Sequence, residues 1–152
     1  MTGTTPSTPQ APVSGPLALA RRHRVELLQT IQAFERSLAA PAADPRWREL
    51  VQERLRNLRE AFGEHIILTE GPDGLYAEIL EHAPRLVRRV EMLIRDHGML
   101  LAAVDSLAHR LPTGDIERLR RRASDLLRQL SRHRQRGADL VYEAYATDIG
   151  GE

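Results

Sequence analysis

The chain has 152 residues, 41% of them hydrophobic, 4% aromatic and 28% charged, with a formal net charge of +1 and no cysteine. That length suits one domain around a single core, and the near-zero charge gives no global field toward nucleic acid or an acidic membrane. Without thiols there is no disulfide, no thiolate metal site and no Cys nucleophile, so any metal must be held by His and carboxylates.

Residues 1–15, MTGTTPSTPQAPVSG, carry no charge and almost no large apolar side chain, so they are expected to form a disordered Thr/Pro/Ser tail. The first helix opens at Pro16 and places Ala20, His23, Leu27, Ile31, Phe34 and Leu38 at three and four spacing before Pro41 stops it. Asp44 and Pro45 read as the cap and first turn of a second helix, with the row Val51, Leu55, Leu58, Phe62, His65, which fades between Thr69 and Gly74. The stretch TEGPDGLYAEILEHA reads as an irregular corner and one or two helical turns. Pro84 opens a third long helix with the stripe Val87, Val90, Ile94, His97, Leu101, Val104, Leu111, ended by Pro112. Thr113 and Asp115 are candidate caps for a fourth, which carries Leu119, Leu126, Leu130, His133, Leu140, Val141 and Ala144. Four amphipathic helices with two short connections predict an all-α, antiparallel up-down four-helix bundle over residues 16–146, followed by a C-terminal tail, 147–152. That tail, TDIGGE, could fold back over the open end of the bundle. No basic segment followed by an apolar run opens the chain, and no stretch approaches the ~20 apolar residues of a membrane span, so a cytoplasmic protein is expected.

Four of the six histidines, His23, His65, His97 and His133, fall one per helix on these apolar stripes. Counted from the end with short connections, they rise to similar heights, so the four rings could share one interior level. An imidazole buried alone is costly, and converging imidazoles inside a bundle answer that cost by holding a transition metal. Gly63, Gly98 and Gly137 each lie within four residues of one of these histidines. A helical glycine costs about 0.5–1 kcal/mol relative to Ala, so their placement predicts that this level needs room. His82 and His109 fall outside the level and read as surface residues.

With these residues the chain resembles the hemerythrin-like (HHE cation-binding) family over residues 17–146. The resemblance implies a non-haem iron centre, mononuclear or di-iron, that binds or senses oxygen, nitric oxide or redox state without turnover of an organic substrate. It implies metal ligands at His23, at His65, at His97 within RDHGML and at His133 within LSRHRQRGADLVYEAY, with Glu70 as the carboxylate candidate. Where the family places a further ligand one turn on, this chain has Thr69, Leu101 and Gly137. The donor set therefore suits one divalent ion better than two, which need bridging carboxylate charge.

The competing reading is a metal-free bundle whose polar layer is hydrogen-bonded, acting as a structural or protein-interaction module. A bis-imidazole haem between His97 and His133 is a third reading, with no attachment motif and few aromatics to wall a porphyrin. The arginine run of the fourth helix is interleaved with Glu117, Asp125 and Asp139, which describes a solvated helix face and no nucleic-acid partner. Tyr76, Tyr142 and Tyr145 read as core packing or as lining for the open end. No Ser-His-Asp set, phosphate loop or catalytic carboxylate pair can be assembled, so no enzyme is expected.

Overall fold

A computed structural model describes residues 15–146; the two expected tails, apart from Gly15, lie outside the described residues. Four long helices carry the fold: α1 (Gly15–Ala39), α2 (Trp47–Glu70), α4 (Val87–Arg110) and α5 (Ile116–Tyr145). A short helix, α3 (Leu75–His82), and a 3-10 turn at Pro84–Leu86 bridge α2 and α4. The described residues contain no strand, and no helix is long and apolar enough to cross a membrane.

Local chemistry sets the boundaries. Asp115, and not Thr113, caps α5: its carboxylate accepts from the Arg118 amide at 3.1 Å. Asp44 instead closes a turn ahead of α2 by accepting from the Arg46 amide, so α2 begins at Trp47 without a side-chain cap. Pro84 opens the 3-10 turn, and α4 starts three residues later than the sequence pattern implies.

The buried faces of α1, α2 and α5 contain the expected rows, with Ala123 added on α5 and His65 and Val141 only partly covered. The α4 row differs. Val90, Leu93, His97, Leu100, Val104 and Leu107 face inward, whereas Val87 and Ile94 are exposed. Two overlapping stripes with the same alternation of three and four share Val90, His97 and Val104, and the buried one runs through Leu93, Leu100 and Leu107 in place of Ile94 and Leu101. Burial of this apolar surface is the main force holding the helices together, at about 25 cal/mol per Å².

The core falls into two apolar clusters. One, running from Leu27 to Leu38 on α1 and from Leu100 on α4 to Leu111 just beyond its end, includes Trp47, Phe62 and Leu130. The other gathers Leu17 and Ala20 of α1, Leu75, Tyr76 and Ile79 of α3, Leu93 of α4 and Leu140 of α5. The four histidines occupy the gap. Along α1 His23 stands between Ala20 and Leu27, along α4 His97 between Leu93 and Leu100, and along α5 His133 between Leu130 and Leu140. α1 packs extensively on α2 and α4 on α5, while α1 touches α5 only sparsely.

Candidate metal centre

The level between the two clusters is a polar layer made of imidazoles. His97 and His133 are buried, and His65 is partly covered. The three rings meet edge to face, with centroids 4.7 Å apart for His97–His133, 5.0 Å for His65–His97 and 5.6 Å for His65–His133. Phe62 from one apolar cluster packs against all three rings, and Tyr76 from the other stacks on His97 at 5.9 Å.

Hydrogen bonds fix which nitrogens look inward. His97 Nδ1 lies 2.6 Å from Glu70 Oε2, and His133 Nδ1 lies 3.1 Å from Asp96 Oδ2. A carboxylate only accepts, so each of these Nδ1 atoms carries its hydrogen and donates it. In a neutral ring Nε2 is then a bare lone pair. The two Nε2 atoms face each other at 3.0 Å, and His65 Nε2 stands 3.4 Å from that of His133. Asp96 is itself held by Arg136 at 3.2 Å.

A proton bridging His97 and His133 would require one imidazolium, and burial opposes that. Desolvation is the largest influence on all three rings and holds each below the ordinary histidine value; His65, with neighbouring His97 and His133 adding to the effect, is pushed down to about 3. Glu70 and Asp96 pull His97 and His133 the other way without overcoming burial. The bare Nε2 atoms of His97 and His133 therefore face each other with no proton between them, an unfavourable arrangement that a cation reverses.

The spacing suits that cation. Imidazole nitrogens bound to one ion at about 2.0–2.1 Å stand about 2.9 Å apart at a right angle and about 3.3 Å apart at the tetrahedral angle. Ligand atoms of His65, His97 and His133 all lie within 4.8 Å of one another. A haem does not fit between His97 and His133, because nitrogens 3.0 Å apart leave no space for the macrocycle.

Of the five residues expected from the sequence as ligands, the structure brings His65, His97 and His133 together and leaves His23 and Glu70 outside that ring of donors. Glu70 spends an oxygen on His97 Nδ1 and so orients that ring. His23 is buried and stacks beside His65 at 6.3 Å, but its Nε2 donates to the Ala61 carbonyl at 2.9 Å. Asp96 and Tyr76 were not in the expected set. The signal for Asp96 was its place immediately before His97, and for Tyr76 a lone tyrosine in the short helix LYAEILEH. The Tyr76 hydroxyl lies 3.4 Å from His97 Nε2, and burial pushes its phenol up, which keeps it a donor. His82 and His109 are exposed.

A cavity of about 50 Å³ adjoins the layer along the sparse α1–α5 seam, lined by His23, His65, His133, Thr69, Tyr76 and Gly137 among others. One water needs roughly 10–15 Å³ of such space, so the cavity suits a diatomic molecule or a few waters. The three glycines are not placed by crowding: a Cβ at Gly63, Gly98 or Gly137 would meet nothing within 4 Å. Compared with family models, curated proteins and solved structures, the chain finds no match.

Proposed function

We propose that this chain is a hemerythrin-like metal-binding protein, an antiparallel up-down bundle that holds one divalent transition-metal ion through Nε2 of His65, His97 and His133. The observation that carries the reading is the pair of fixed tautomers: Glu70 and Asp96 take the Nδ1 hydrogens and leave two bare Nε2 atoms 3.0 Å apart in a buried layer. Neutral imidazoles accept iron, zinc, copper or nickel, and the family resemblance favours non-haem iron. Such an ion would supply a centre that binds or senses oxygen, nitric oxide or redox state. Three imidazoles bring no negative charge of their own, which favours one ion over two.

This chain's own residues do the remainder. Phe62 and the leucines on either side exclude water, Glu70 and Asp96 aim the rings, Tyr76 offers a hydroxyl beside His97, and the α1–α5 cavity limits what reaches the layer to small molecules. A second reading, a metal-free interaction module, is favoured by Met92, Met99 and Tyr142, which are exposed on α4 and α5. Elemental analysis of protein purified anaerobically from iron-replete cells separates the two. The metal reading expects close to one iron per chain, lost in His97→Ala; a substoichiometric iron content that His97→Ala leaves unchanged favours the interaction module.

A further inference from the structure

His23 presents a second problem of lone pairs, on the outer side of the α1–α2 seam. The Ala61 carbonyl can only accept, so the 2.9 Å contact fixes the hydrogen on His23 Nε2. Nδ1 of the neutral ring is then bare. Among the described residues no hydrogen-bond donor reaches it, and it points between two carboxylates, Glu26 Oε2 at 3.6 Å and Glu64 Oε2 at 3.7 Å. The imidazole is 6% exposed while the two glutamates are 69% and 58% exposed. A buried ring therefore aims this nitrogen into a solvent-facing pair of negative charges.

From this geometry we infer a second cation site, separate from the three-histidine centre, in which His23 Nδ1, Glu26 and Glu64 take a divalent ion of the zinc type that accepts nitrogen and oxygen together. The three ligand atoms lie within 4.8 Å of one another. Helix spacing builds the site: Glu26 follows His23 by three residues on α1, and Glu64 follows Ala61 by three on α2, so the carbonyl that sets the tautomer and the carboxylate that uses it come from one turn. Nitrogen and oxygen ligands at about 2.0–2.2 Å from zinc stand about 3.3 Å apart in a tetrahedron, and a small rotation of either exposed glutamate closes the observed spacing. The remaining positions open to water, as in a site whose ion exchanges with solvent. The aligned lone pair and the two carboxylates repel one another until a cation arrives, and the ring, held by Ala61, has no freedom to turn away.

Equilibrium dialysis of the metal-free full chain against zinc at neutral pH tests the inference. The wild type should take up one more equivalent than the Glu26→Gln/Glu64→Gln double variant, whose exposed amides keep the shape and remove the charge; Glu64→Gln alone should weaken that equivalent by tenfold or more. His97→Ala removes the three-histidine site and should leave this equivalent in place. Uptake of a single equivalent that survives His97→Ala and disappears in the double variant would support the second site while removing the function proposed above. Equal uptake by wild type and double variant, at any stoichiometry, overturns the inference.

Discussion

His23 and the His97–His133 pair are the same residue type in one layer of one bundle, yet they point their chemistry in opposite directions. At His97 and His133 carboxylates sit on Nδ1 and the bare Nε2 atoms turn toward the bundle axis. At His23 a backbone carbonyl sits on Nε2, and the bare Nδ1 turns toward exposed glutamates. The partner that takes the single hydrogen decides which nitrogen remains free. An imidazole's role in this layer is therefore set one shell outside it.

Acid should break the inner half of this contrast most severely. Unfolded, a histidine takes up a proton near pH 6.5; folded, His65, His97 and His133 hold out to lower pH because burial disfavours the charged ring. The unfolded state therefore binds more protons in that window, and stability must fall as pH falls. For metal-free protein the urea midpoint should be nearly constant above pH 7 and drop steadily from about 6.5 toward about 3, the value reached by His65. A midpoint that rises on acidification would show that these rings are charged in the fold.

Removing the orienting carboxylates is a smaller, more selective change. Glu70→Gln and Asp96→Asn should each weaken metal binding by roughly 10–100-fold, as expected when the partner of a ligating histidine is lost, with helix content preserved. Competition with a chromophoric chelator reads this directly. Asp96→Asn also strips Arg136 of its ion pair, an exposed contact that by itself contributes at most about 1 kcal/mol.

The smallest expected effect concerns the glycines. Open space surrounds all three positions, so Gly63→Ala and Gly98→Ala should each stabilise the protein by about 0.5–1 kcal/mol in chemical denaturation. Gly137→Ala should do the same and also narrow the cavity it lines. Destabilisation by Gly63→Ala or Gly98→Ala would mean that the helices close up at this level.

The bundle was legible because apolar spacing on α1, α2 and α5 allows a single stripe. On α4 the adjacent pairs Leu93–Ile94 and Leu100–Leu101 allow two, and packing chose Leu93 and Leu100 over the stripe through Ile94. Spacing also located the four histidines, since each replaces an apolar residue in its row. It could not assign Glu70, whose distance from His65 along the chain hides its approach to His97 from another helix. Nor could it find the tautomer of His23, which rests on a backbone carbonyl that no residue type announces.

Long-range proton–nitrogen correlation spectra of the imidazoles, recorded on metal-free protein and again after one equivalent of zinc, test the central claim most directly. The account predicts hydrogen on Nδ1 of His97 and His133, and a shift of Nε2 in His65, His97 and His133 when the ion is added. Hydrogen on Nε2 of both His97 and His133, or three Nε2 resonances unmoved by zinc, would contradict it.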